Sequence, residues 1–132
     1  MNRETDATAG PIIAIIEDDF PVRNAVAFAF QSHGLSVRSY ACAEDVLSDS
    51  SIEEIACFII DDKLPKLSGL NLLKELRRRD IRVPAIIITT APSVDVRKGA
   101  ADAHAVIVEK PLLGDGLFRE VSSALGIAAD SD

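Results

Sequence analysis

Residues 57–70, CFIIDDKLPKLSGL, leave few architectures open to this chain. A run rich in apolar and β-branched residues, Phe58, Ile59 and Ile60, stops at two carboxylates, Asp61 and Asp62. Pro65, Ser68 and Gly69 then supply a turn, and an amphipathic segment follows. A strand apolar on both faces needs cover on both, and a parallel sheet between helices provides it. In such sheets ligands bind beyond the carboxyl ends of the strands, where Asp61 falls. The stretch therefore predicts a carboxylate at the rim of a site.

The same alternation runs along the whole chain. Residues 11–16 (PIIAII) form a first apolar strand that ends in Glu17, Asp18 and Asp19. Pro21 suits the first turn of a helix in which Val22, Ala25, Val26, Ala29 and Phe30 make one apolar stripe, and Gly34 closes it. Residues 35–40 (LSVRSY) alternate apolar and polar positions, as a half-buried edge strand does. A short helix is expected at 43–47, a polar connection at 49–54 and the central strand at 56–60. In the helix at 69–79, Leu70, Leu73, Leu76 and Arg77 keep helical spacing, with Leu72 widening the apolar side. Residues 85–88 form a strand ending at Thr89 and Thr90, and residues 105–108 a strand ending at Glu109, Lys110 and Pro111. Between them, 93–103 is the weakest helix. Ser93 can cap it, but Gly99 within it costs about 0.5–1 kcal/mol relative to alanine, so a short, mobile or irregular segment is expected. A last helix at 115–125 turns Leu117, Phe118, Val121, Ala124 and Leu125 inward, and Gly126 ends it.

Strand and helix thus alternate five times, which implies an α/β fold with a parallel sheet, right-handed crossovers and helices on both faces. One domain at 11–126 is expected, between a flexible start (1–10) and a polar tail (127–132). With 132 residues and 48% hydrophobic content such a domain buries roughly two-thirds of its unfolded surface. The formal net charge of −7 argues against DNA binding, which needs clustered Lys and Arg. The one basic run, Arg77-Arg78-Arg79, sits at a helix end, where cations favour the dipole. Cys42 and Cys57 lack metal-site spacing, and His33 and His104 are isolated. MNRETDATAG lacks the apolar core of a signal peptide, and no apolar run is long enough to span a membrane; a cytoplasmic protein is expected.

In a parallel sheet all five strand ends share one edge. Glu17 and Asp18, Asp61, Thr89 and Lys110 therefore converge. Two carboxylates at about 4 Å repel by roughly 1 kcal/mol in water and roughly 4 kcal/mol at an effective dielectric of 20, so three acids need compensation. A hard divalent cation with oxygen ligands supplies two charges and Lys110 a third. The combination fits magnesium-assisted phosphoryl transfer, with Asp61 as the nucleophile that forms an aspartyl-phosphate. Lys110 and the Thr89 hydroxyl would meet the transferred oxygens, and the backbone near Lys63 and Thr90 could add a carbonyl and amides.

IIEDDFPVR, IIDDKLPKLSG, IIITT and VEKP together resemble the four signature segments of bacterial response-regulator receiver domains, the CheY-like family. The resemblance covers residues 12–125 and implies a doubly wound sheet of strand order 2-1-3-4-5. It implies that Glu17 and Asp18 bind Mg2+ with Asp61 and the backbone carbonyl of Lys63. It also implies that Asp61, four residues before Pro65, is the phosphoacceptor. Thr89 and Lys110 match the residues that follow phosphorylation, and Gly69 the glycine that lets the turn close. A histidine kinase or histidine phosphotransfer protein is implied as donor, an unidentified protein as downstream partner, and a monomer or weak dimer as the state of the chain. Self-phosphorylation and autodephosphorylation at Asp61 would be its only catalysis.

The sequence also departs from that pattern. Glu17 stands where Asp is usual, Thr90 where a smaller residue is usual, and Ile107 at the aromatic switch position. Lys63 and Ala91 fall where the family varies to set the phosphate lifetime. By alternation Asp62 points to the opposite side of the strand from Asp61, in a solvent or structural role, and Asp19 reads as a helix cap. Three rivals stand beside this reading. A nucleotide-binding module would need a GxGxxG turn or a GxxxxGK(S/T) loop, and the sequence has neither. A pseudo-receiver would use the fold as an interaction module without phosphorylation. A haloacid-dehalogenase-type phosphatase shares the residue types but needs a DxD pair after its first strand, where this chain has Glu17-Asp18-Asp19.

Overall fold

Isoleucine-rich runs become strands here because each is covered on both sides. The computed structural model describes residues 10–112 and 115–126; all but Gly10 of the expected flexible start and all of the polar tail lie outside them. Strands β1 (Ile12–Ile16), β2 (Ser36–Tyr40), β3 (Ile55–Asp61), β4 (Ala85–Thr89) and β5 (Val106–Glu109) form one parallel sheet. Their order is β2-β1-β3-β4-β5, as the resemblance implied. Helices α1 (Phe20–Gln31), α2 (Ala43–Leu47), α3 (Gly69–Arg78), α4 (Val94–Asp102) and α5 (Gly116–Leu125) connect them, with a 3-10 turn at Ile52–Glu54. Among the described residues no helix is long and apolar enough to cross a membrane.

Alternation along the strands divides the core in two. Ile13, Ile15, Cys57, Ile59, Ile86 and Ile88 pack under α1 and α5, against Ala27, Phe30 and Val121. Ala14, Ile16, Phe58, Ile60 and Ile87 pack on the opposite face, against Val46, Leu72, Leu73, Leu76 and Ala100. Burial pushes the Cys57 thiol up to about 12, so this cysteine is an inert small core residue.

Two sequence expectations gain a physical reason here and two are corrected. Helix α4 is short, at nine residues, as expected of the segment that carries Gly99, and it is continuous. Ser93 caps it by accepting from the Val96 N–H, and a Cβ on Gly99 would lie 2.7 Å from the Leu70 side chain, so glycine lets α4 lie close on α3. Arg77 lies in the last turn of α3, where the sequence placed it, and it is a clamp as well. Its Nε donates to the Ala103 carbonyl at 2.9 Å and its Nη1 to the Ile81 and Val83 carbonyls at 2.8 Å, which satisfies the chain leaving α3 and α4. In α1 the buried positions are Ala27 and Phe30, while Ala25 and Ala29 are exposed and line an open groove between α1 and α5 with Val22 and Phe118. In α5 Val121 and Ser122 are buried and Ala124 is exposed.

Candidate functional site

Four strand ends meet at one edge of the sheet. β1 runs into Glu17, which is 5% exposed, and then Asp18, which faces solvent. Asp19 is the N-cap of α1, as its type suggests: its Oδ1 accepts from the Val22 N–H at 3.2 Å. The Glu17 backbone is held on both sides. Its N–H donates to the Tyr40 carbonyl at 3.1 Å, and its carbonyl accepts from Arg23 Nη1 at 2.6 Å. The Arg23 contact had no signal in the sequence beyond helical spacing from the strand end.

β3 ends at Asp61, also 5% exposed, and β5 is followed by Lys110, whose N–H donates to the Thr89 carbonyl at 2.8 Å. That bond ties Lys110 to the end of β4 and turns it toward the acids. Its ammonium lies 3.2 Å from Asp61 Oδ1 and 3.6 Å from Glu17 Oε1. Carboxylate oxygens of Glu17, Asp18 and Asp61 all lie within 4.8 Å of one another. Glu17 therefore reaches the cluster despite its extra methylene, and it spends its second oxygen on its own turn, where Oε2 accepts from the Asp19 N–H at 3.1 Å.

The electrostatics follow from this crowding. Burial raises the Glu17 carboxyl above its usual value, the Asp19 N–H opposes that, and the neighbouring Asp61 charge adds to it. Burial works against the Lys110 charge, but hydrogen bonding and attraction to Asp61 and then Glu17 outweigh it, so the ammonium is held above its usual value. A partly buried cation is thus fixed between two buried acids, and a third acid stands at the rim. Hard oxygen donors gathered around excess negative charge are what a small divalent cation takes.

Gly69 shapes the floor. A Cβ there would lie 2.2 Å from the Asp61 carbonyl oxygen, so the start of α3 can sit against the end of β3 only with glycine. Lys63, two residues past Asp61, is exposed in the intervening loop, and Thr90 is exposed beside Thr89. Ile107 is half-buried and packs on the α2–α3–α4 face of the sheet.

Thr89 ends β4 at the same edge, but its hydroxyl serves a different acid. It is 2% exposed, and its hydroxyl donates to Asp62 Oδ2 at 3.2 Å rather than facing Asp61. The register explains the correction. Asp61 pairs with Ile88, so Thr89 stands opposite Asp62, on the face that alternation assigns to Asp62. The sequence put Asp62 on that face but gave no sign of its partner.

Comparison with known proteins gives one consistent answer. The pattern of the response regulator receiver domain matches residues 13–122. Nodulation protein W of Bradyrhizobium diazoefficiens is 31% identical over 121 residues, 91% of this chain and 53% of the relative. The transcriptional regulatory protein FixJ of Azorhizobium caulinodans is 32% identical over 123 residues, 89% of this chain and 56% of the relative. The chain thus spans about half the length of these curated relatives. Among solved structures, FixJ-N superposes with a TM-score of 0.78 at 25% identity over 92% of this chain and 98% of that one. A CheY-like receiver domain protein from Methanospirillum hungatei superposes at 0.82 over 88% of this chain and 94% of that one, and at 22% identity it speaks for the fold.

Proposed function

Because this chain belongs to the response regulator receiver domain family, we propose that Asp61 accepts a phosphoryl group from a phosphohistidine and that the acyl phosphate shifts the binding surface of the domain. The observation that carries the reading is the Lys110 ammonium 3.2 Å from a buried Asp61 that shares its space with Glu17 and Asp18. An Asp61 oxygen attacks phosphorus as the phosphorus–nitrogen bond breaks, and the electron pair leaves on the imidazole nitrogen, which takes up a proton. Lys110 meets the charge on the transferred oxygens from the β5 side. The ammonium is already in place, so little rearrangement is needed when that charge develops.

The donor set fits Mg2+, with Glu17, Asp18 and Asp61 as carboxylate ligands and the Lys63 carbonyl as a further one. When bound, the cation supplies two positive charges against the acids and the phosphoryl oxygens. Glu17, oriented by the bond from the Asp19 N–H to Oε2, turns its Oε1 toward Lys110 and the other acids, where it would serve this role. Ile107, at the place of an aromatic switch, leaves the readout to packing on the α4–β5 side.

Receiver domains of response regulators are phosphorylated by histidine kinases. For this chain we take a histidine kinase or a histidine phosphotransfer protein as donor, with a protein as the receiver of the signal and the cytoplasm as the compartment. The −7 net charge supports a protein rather than a nucleic acid as the partner of this domain, acting as a monomer or weak dimer. Catalysis would be limited to self-phosphorylation and loss of the phosphate.

The test is intact mass after incubation with acetyl phosphate and Mg2+, beside Asp61→Asn. One added phosphoryl group in the wild type that is absent in the variant is expected. No gain, with no thermal shift from Mg2+, overturns the reading and favours a receiver fold used as an interaction module. The engagement of Thr89 with Asp62 is the observation that keeps that second reading in view.

A further inference from the structure

We propose that Asp62 is a positioning residue that holds the Thr89 hydroxyl away from the phosphoryl group on Asp61, so that occupying Asp61 must first break a bond. The proposal rests on the reading of Asp61 as phosphoacceptor. Two consecutive acids at the end of β3 project to opposite faces of the sheet. Asp61 meets Lys110 on one face, and Asp62 meets Thr89 on the other.

A threonine hydroxyl has one proton to donate, so it can serve Asp62 or a phosphoryl oxygen, not both. Thr89 is buried, and a buried hydroxyl without a partner is costly. Asp62 supplies the partner while Asp61 is free, and a phosphoryl oxygen would supply it afterwards. The exchange is between two staggered wells of a β-branched side chain, which makes it discrete rather than gradual. The distance of 3.2 Å is long beside the roughly 2.5–2.7 Å of a strong hydroxyl–carboxylate bond, so Asp62 retains the hydroxyl without trapping it.

Only the Asp62 side chain has to give way. Its N–H donates to the Ile88 carbonyl at 2.8 Å and its carbonyl accepts from the Gly69 N–H at 3.0 Å, so both of its backbone groups are held. The side chain is half-buried and can take water in exchange for Thr89. An apolar residue at this position would leave the hydroxyl unheld and the domain readier to take phosphate.

The experiment measures affinity for beryllium trifluoride with Mg2+, by calorimetry on the full chain, for wild type, Asp62→Ala, Thr89→Val and the double variant. Asp62→Ala is expected to bind about five- to tenfold tighter, the low end of typical coupling between two groups. In the Thr89→Val background the same change is expected to alter affinity by less than about twofold, because the hydroxyl it acts through is gone. Asp62→Asn, whose amide oxygen still accepts, should fall between wild type and alanine; it carries the comparison if Asp62→Ala fails to fold. Equal affinities of wild type and Asp62→Ala overturn the proposal. So does an equal gain with and without Thr89, which would reduce Asp62 to a charge that repels the anion. A wild type that binds no beryllium trifluoride overturns the phosphoacceptor reading itself, and this proposal with it.

Discussion

Replacing Gly69 with alanine tests how tightly the turn after Asp61 is built. The added Cβ would lie 2.2 Å from the Asp61 carbonyl oxygen and 3.0 Å from the Asp61 carbonyl carbon and Asp62 Cα. Carbon–oxygen contacts in proteins sit at about 3.3–3.6 Å, so about 1 Å of displacement is needed. All three neighbours are backbone, so no side chain can swing aside; either α3 lifts away or the end of β3 moves. Lifting α3 stretches the bond from the Gly69 N–H to the Asp62 carbonyl, now 3.0 Å, and loosens Leu72, Leu73 and Leu76 in the core. Overpacking of this kind costs about 1–3 kcal/mol. A domain of this size loses about 4 °C of Tm per kcal/mol, so a fall of about 4–12 °C is expected in thermal unfolding followed by circular dichroism. The second readout is chemical. Displacing a reacting group by about 1 Å can cost on the order of a hundredfold, so phosphorylation by acetyl phosphate should slow by at least about tenfold. A Tm within about 2 °C of wild type and a rate within about twofold would refute the packing argument.

Gly99→Ala should behave differently, because its Cβ would meet the flexible end of Leu70 at 2.7 Å; the gain in helix propensity of about 0.5–1 kcal/mol offsets the contact, and a Tm change beyond about 4 °C would be unexpected. The Tyr40 hydroxyl donates to Asp49, and that bond, followed by the Ser51 N–H, holds the Asp49 carboxyl down to about 2, while burial and then Asp49 push the Tyr40 phenol up to about 12. The depressed acid contributes stability above its ordinary pKa near 3.8 that is lost as pH falls toward about 2; the raised phenol contributes stability below 10 that is lost as pH rises toward about 12. After allowance for solvent screening the shared bond is worth about 1 kcal/mol, so urea unfolding of Tyr40→Phe should show that loss at pH 7 and shallower flanks at both extremes. Lys110→Met removes the cation 3.2 Å from Asp61, so the protein should unfold at lower temperature without divalent ions and gain more from Mg2+ than wild type does; an equal Mg2+ shift would count against the charge balance drawn here.

The strands and their order were legible because β-branched runs such as AIII at 85–88 have no amphipathic alternative and alternate regularly with helical stripes. The site was legible for the same reason: once the strands are parallel, the polar residue that ends each run must lie on one edge. What stayed hidden depends on contacts between residues distant in sequence. Arg77 keeps helical spacing with Leu70, Leu73 and Leu76, but nothing in the sequence names its partner Ala103, 26 residues away. Gly99 reads as a helix breaker until Leu70 of α3 is laid against it. Ala27 displaced Ala25 and Ala29 from the buried line of α1 because small residues give little moment to fix a helix rotation. Tyr40, Asp49 and Arg38 close the edge of the sheet through bonds that no motif encodes.

Thr89 shows where strand-end logic stops. Convergence on an edge places a residue at the right height but not on the right face, and in a parallel sheet the register decides the face. Asp61 stands opposite Ile88, which hands Thr89 to Asp62. A paired acid at this point therefore does two things that a lone one cannot: one carboxylate joins Glu17, Asp18 and Lys110 under α1 and α5, and the other occupies the hydroxyl on the α3–α4 side. The two faces of the sheet are joined through a single peptide unit between Asp61 and Asp62. If Asp61 takes a phosphoryl group, that charge would compete with Asp62 for Thr89, the last residue of β4, whose carbonyl also holds Lys110. On the proposal made for Asp62, a change at Asp61 would reach the α4–β5 surface through these bonds, without an aromatic side chain at Ile107.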